Sequence, residues 1–215
     1  MREVLPAIIG KTIEDIAAKT EELRGLVDWV QIDVIDGEFS SQRSWPFTDG
    51  SPGDLSDIAL EMNIELHLMI KKPEHMIEEW LESGAKRILV HYESTPNLDD
   101  LLMVINGSAG VEAGIAILMD TPVEALYPFL GSIKYVQFMS IAEIGAYGIP
   151  FDDGVYERII ALRSSYPDLH IAVDGGVTLR NAPHLIAAGA DALVVGSAIW
   201  KSGDVARTIK EFQNM

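Results

Sequence analysis

The chain has 215 residues, 48% of them hydrophobic, which is enough to bury a substantial core. Sixteen Lys and Arg against 33 Asp and Glu leave a formal charge of −17, which disfavours nucleic acid and anionic membranes as partners, because phosphate contacts are mainly Lys and Arg contacts. Without cysteine there is no disulfide, no thiolate nucleophile and no Cys-ligated zinc.

The opening stretch, MREVLPAIIGKTIEDI, has too short an apolar run for a signal peptide. No later run approaches the ~20 apolar residues of a membrane span. A cytoplasmic protein with no membrane partner is the expectation. Along the chain, EVLPAII, WVQIDVI, IELHLMI, RILVHYE, GIAILM, YVQFMSI, HIAVDGG and ALVVGSAIW each read as a buried strand. Helical segments fall between most of them, as in KTIEDIAAKTEELRG, KPEHMIEEWLESGA, VYERIIALRSSY and LRNAPHLIAAGA. Gly25, Gly84 and Gly189 mark helix ends. Alternation of strand and helix means parallel strands with helices outside. Eight units with no linker favour one (β/α)8 TIM barrel over residues 1–215, with an open doubly wound sheet as the alternative. The least regular segment, 37–54, follows the second strand and is expected to lie over the barrel mouth.

Strand side chains alternate. In VQIDVI, Val30, Ile32 and Val34 share the face that packs on helices, while Gln31, Asp33 and Ile35 look inward. In the third strand Leu66, Leu68 and Ile70 face out, and Glu65, His67 and Met69 face in. In the seventh, Ile171 and Val173 face out and Ala172 and Asp174 in. The fourth strand adds His91 and Glu93, and the sixth adds Met139. Asp33, His67 and Asp174 therefore stand near the carboxyl ends of three strands, where function sits in this architecture. All three suit a divalent ion, which would offset the cost of burying carboxylates. The competing reading is three polar strand ends that cap loops. Asp36-Gly37 is out of phase and reads as a turn.

Gly175-Gly176 follows the seventh strand and Gly196-Ser197 the eighth. These are the usual phosphate loops of this barrel, and their backbone N–H groups bind an anion without Lys or Arg.

The chain resembles the ribulose-phosphate 3-epimerases over essentially its whole length. The resemblance rests on IDVIDGEF, ELHLMI with KPE after it, HYES, DTPVEAL, VDGGV and AGADALVVGSAIW in this order. It implies a ribulose-phosphate-binding barrel and a carbohydrate isomerase of the pentose phosphate pathway. Such an enzyme interconverts D-ribulose 5-phosphate and D-xylulose 5-phosphate through an enediolate. By resemblance Asp33 and Asp174 are the two acid–base groups. With His67, and with Gln31 where the family has His, they would also hold one divalent metal ion: zinc, manganese or iron. His67, Met69 and Met139 would line the substrate, and Gly175, Gly176, Gly196 and Ser197 would hold its phosphate. A homo-oligomer is compatible with the resemblance.

The departures fall at the site. Ala7 replaces a Ser after the first-strand Pro, Leu118-Met119 replaces Asn-Pro, and MSIAEIGAYGIPF lacks the family's lid pattern. Two alternatives follow: an epimerase of another ketose phosphate, such as allulose 6-phosphate, or a sugar-phosphate-binding barrel without turnover. A Schiff-base aldolase lacks its inward lysine. The D-x-K-x-x-D decarboxylases and synthases of the same superfamily are set aside by Ile35 at the lysine position.

Overall fold

A computed structural model describes residues 3–146 and 148–215. Strands form at the short runs rich in β-branched residues: β1 (Glu3–Ile8), β2 (Trp29–Ile35), β3 (Asn63–Met69), β4 (Arg87–His91), β5 (Glu112–Ile117), β6 (Tyr135–Met139), β7 (His170–Asp174) and β8 (Ala192–Val195). Each pairs parallel with its sequence neighbours, and β8 pairs back onto β1, so the sheet closes. The architecture is the (β/α)8 TIM barrel, and closure excludes the open doubly wound sheet.

The outer layer holds α1 (Ile13–Leu23), α2 (Ser56–Ala59), α3 (Ile77–Leu81), α4 (Leu98–Gly107), α5 (Val155–Ser165), α6 (Ala182–Ala188), α7 (Ser197–Trp200) and α8 (Val205–Gln213). Thr12 and Asp15 start α1 with a reciprocal capping box. Gly189, at φ +115°, ends α6 in the left-handed conformation that glycine adopts without penalty. The helix expected over 72–85 is broken into a 3₁₀ turn, Pro73–His75, followed by α3. Lys72 precedes Pro73, and a residue before proline is disfavoured in the right-handed helical region; it sits instead at φ +55°. Between β5 and β6 the helix is reduced to one 3₁₀ turn, Val123–Leu126.

Two apolar layers follow from the strand alternation. Val30, Ile32, Val34, Leu66, Leu68, Ile171 and Val173 join the core between barrel and helices. Leu5, Ala7, Leu89, Tyr135, Ala172, Ala192 and Val194 fill the barrel itself. At the amino-terminal end of the barrel, Arg87 Nη1 donates to Glu65 Oε2 at 2.7 Å and Arg87 Nε to Glu112 Oε2 at 2.8 Å. Its guanidinium lies 3.8 Å from the Tyr135 ring centroid and 4.5 Å from that of Trp29. Glu65 faces inward as expected, but on the floor rather than at the mouth.

The segment 37–54 does two things. Its first part reaches the mouth: the Phe39 ring is 4.9 Å from that of His91, and Ser40 Oγ donates to Ile144 O at 2.7 Å. Its middle part leaves the mouth. Trp45 is fully buried in the outer core, edge-on to Trp80 at 6.1 Å. A large aromatic side chain gains more from that core than from covering polar strand ends.

Candidate active site

The β2–β3 register sets Asp33 beside His67, and the β6–β7 register sets Met139 beside Asp174. All four lie at or near the carboxyl ends of their strands. His67 Nδ1 is 3.0 Å from Asp33 Oδ1 and 3.5 Å from Asp174 Oδ2. One ligand atom from each of Asp33, His67 and Asp174 lies within 4.8 Å of the others. Gln31, one inward step below Asp33, sits between the carboxylates. Its Nε2 donates to Asp33 Oδ1 at 2.8 Å and to Asp174 Oδ2 at 3.3 Å. Strand alternation did not single out Gln137, although it shares the inward phase of Met139; it also donates to Asp174 Oδ2 at 3.3 Å.

The electrostatics follow from this crowding. Burial, reinforced by the charge of Asp33, pushes the Asp174 carboxyl up to about 7. Burial works against a charged His67, yet the hydrogen bond and charge of Asp33 and the charge of Asp174 outweigh it, and the imidazole is held above its usual range. Burial pulls His91 down to about 4, so that ring is neutral.

The donor set fits a divalent cation. Two carboxylates and an imidazole converge, and excess negative charge between them is what a cation would neutralise. Gln31 as oriented presents its donor, not its oxygen, to this cluster. Its Oε1 is buried without a hydrogen-bond partner. A half-turn of the amide would satisfy Oε1 at the ion and make Gln31 a fourth ligand.

A cavity of about 460 Å³ opens above the cluster. Asp33, Asp174, Met69 and Met139 line it, and so do all four expected phosphate-loop residues, Gly175, Gly176, Gly196 and Ser197. His67 and Gln31 are wholly buried beneath its floor. Arg180 is the one Lys or Arg among the described lining residues; its exposed position in the loop before α6 gave no signal in the strand pattern. Asn181 orders that loop, accepting from Thr178 N at 2.7 Å and donating to Gly176 O at 3.0 Å. Gly176 is left-handed at φ +63°, and a Cβ there would stand 3.0 Å from Phe151 Cβ.

Phe151 belongs to the segment after β6 that lacks a recognisable pattern. Ser140 pins its start, donating through Oγ to Gly175 O at 2.6 Å. Ile141 and Phe151 bridge its two sides, and Gly145, Ala146, Gly148 and Ile149 form the cavity wall. Tyr147 lies outside the described residues. Asp36 is the turn residue expected: its Oδ1 accepts from Glu38 N and Phe39 N, and its Oδ2 from Lys71 N at 2.8 Å.

Comparison with known proteins places this geometry. The pattern of the ribulose-phosphate 3 epimerase family matches residues 3–200. A ribulose-phosphate 3-epimerase of Bacillus subtilis is 31% identical, the match covering 99% of each chain. One of Chlamydia pneumoniae is 32% identical over 94% of this chain and 89% of its own. Among solved structures, 3-hexulose-6-phosphate synthase from Salmonella typhimurium superposes with a TM-score of 0.75 at 14% identity, covering 100% of this chain and 97% of that one. At that identity the superposition shows the shared barrel alone.

Proposed function

This chain belongs to the ribulose-phosphate 3-epimerase family, and from that premise we propose that it interconverts D-ribulose 5-phosphate and D-xylulose 5-phosphate. The observation that carries this reading is a single cavity holding Asp33 and Asp174 at its floor and both glycine loops on its wall. β2 and β7 are separated around the barrel by β1 and β8, so the two carboxylates approach the space between them from different directions. Inversion needs that arrangement, because one base can only return a proton to the face it came from.

In one direction Asp33 removes the proton from C3 and the electron pair forms the C2–C3 enediolate. Asp174, whose carboxyl burial and the Asp33 charge push up to about 7 in the metal-free site, within reach of holding a proton, gives a proton to C3 from the other side. The roles exchange in the reverse direction. Asp33, His67 and Asp174 would hold one divalent ion, zinc, manganese or iron, with Gln31 Oε1 as fourth ligand. When bound, that ion supplies Lewis-acid stabilisation of negative charge on the substrate oxygens. Met69 and Met139 give the cavity an apolar, polarisable lining over the reacting carbons. The backbone at Gly175-Gly176 and Gly196-Ser197, with Arg180, would hold the phosphate. The same reading takes residues 1–215 as one barrel domain in the cytoplasm; among the described residues no helix is long and apolar enough to cross a membrane.

A second ketose phosphate is favoured by one observation: Ala7 lines the cavity, leaving more room than the Ser expected there. An assay of the metal-loaded chain with ribulose 5-phosphate and allulose 6-phosphate separates the readings. The proposal expects the higher kcat/KM with the pentulose. A higher value with the hexulose replaces the substrate, and binding of both without turnover makes the chain a binding barrel.

A further inference from the structure

His67 touches the carboxylates through one ring nitrogen and a second histidine through the other. Its Nε2 is 2.8 Å from Nε2 of His91. Two ring nitrogens at that distance require one donor and one acceptor. Both rings are wholly buried, so water cannot serve either nitrogen. The Phe39 ring also packs against His91, with ring centroids 4.9 Å apart.

The polarity of this contact is decided further out. His91 Nδ1 is 3.4 Å from Glu93 Oε2. Glu93 is itself held, its Oε1 accepting from Leu118 N at 2.9 Å and from Thr121 Oγ1 at 2.5 Å. An ionised carboxylate only accepts. His91 must then carry its proton on Nδ1, its Nε2 must accept, and His67 must donate through Nε2. The opposite polarity would set two acceptors, Nδ1 and a carboxylate oxygen, face to face in a buried site. The strand phase builds the chain: His91 ends β4 pointing inward, and Glu93 falls in the 3₁₀ turn Tyr92–Ser94 directly after it.

We propose that His91 and Glu93 are positioning residues that fix His67 with its Nε2–H toward His91, so that its Nδ1 is turned to Asp33 and Asp174 to serve as a metal ligand. The inference rests on the metal reading of the site given above. Partners of this kind commonly set the tautomer and orientation of a metal-binding histidine, and their loss weakens the metal site.

The test uses the full chain and two readouts. Nitrogen-15 NMR of the imidazoles in the metal-free protein reads where each proton sits. Titration with Mn2+ or Zn2+ alone reads affinity. In the wild type, His91 is expected to carry its proton on Nδ1. Glu93→Gln keeps an oxygen for Leu118 N and Thr121 but presents an amide donor to His91. The chain then reverses: the His91 proton moves to Nε2, His67 accepts there, and its Nδ1, which faces Asp33 at 3.0 Å, keeps the ring's only proton, so an ion can no longer displace it and leave a neutral imidazole. Ion affinity should fall by roughly 10- to 100-fold. His91→Phe, which keeps a ring in contact with Phe39 and His67, should weaken binding without imposing the reversed state. A wild-type His91 protonated on Nε2, or a Glu93→Gln chain with unchanged ion affinity, overturns the proposal. If the wild type binds no ion, the metal reading falls instead, and the His91 tautomer still decides the polarity.

Discussion

Under the proposed mechanism, Asp174 exchanges stability for chemistry. Its carboxyl is nearly enclosed beside Asp33, and burial with that charge raises it to about 7. A raised acid binds its proton more tightly in the folded state, so its contribution to stability is present below the ordinary value near 3.8 and is lost as pH rises through about 7. Asp174→Asn should therefore raise the melting temperature of the metal-free chain, and by more at pH 8 than at pH 5. The same substitution should lower kcat by about 10²- to 10⁴-fold, as should Asp33→Asn. Thermal melts at the two pH values and steady-state rates check both halves. Gln31→His should tighten ion binding, imidazole being the stronger ligand for zinc-like ions; unchanged affinity would remove Gln31 from the ion's shell. Asp33, His67 and Asp174 were legible because strand alternation at matched depth needs only local sequence. The direction of the Gln31 amide was not, since it depends on carboxylates from two other parts of the chain. Gln137 was legible in principle, two residues from Met139 in the same phase.

Two elements that position the site carry no motif. Ser140 joins the segment after β6 to the phosphate loop through Gly175 O. Ser140→Ala removes the donor from the buried Gly175 carbonyl, which costs about 1–3 kcal/mol, and should raise KM for a sugar phosphate more than it lowers kcat. On the barrel floor, burial pushes the Glu65 carboxyl up, while Glu65 holds the Arg87 guanidinium charged against its own burial. Glu65→Gln breaks a buried pair and should destabilise the fold by about 3–5 kcal/mol. Its effect on kcat should be smaller than that of Asp33→Asn, because Glu65 pairs with Gln31 one inward step below Asp33 and His67 and does not line the cavity. Denaturant melts and rates on one preparation test that separation. Strands were legible from short apolar runs. The helix between Lys72 and Ala85 broke at Met76, which leaves the helical region at φ −129° with no proline or glycine to mark it, and the segment after β6 folds through contacts with β7, which no local pattern encodes.

For the whole molecule the problem is an anionic ligand on a chain of net charge −17. Under the proposed function, backbone donors and Arg180, the one Lys or Arg among the described lining residues, are the answer the fold offers, so Arg180→Gln should raise KM roughly 5-fold, about the worth of one exposed charge contact. Barrel closure was inferable from eight strand–helix units in one short chain, though no single unit contains it. The central claim is inversion by two carboxylates, and heavy water tests it most directly. The metal-loaded chain is incubated with ribulose 5-phosphate in D₂O, and early product and remaining substrate are analysed. The account predicts xylulose 5-phosphate carrying solvent deuterium at C3. Xylulose 5-phosphate without deuterium, or deuterated ribulose 5-phosphate with no epimer formed, would contradict it.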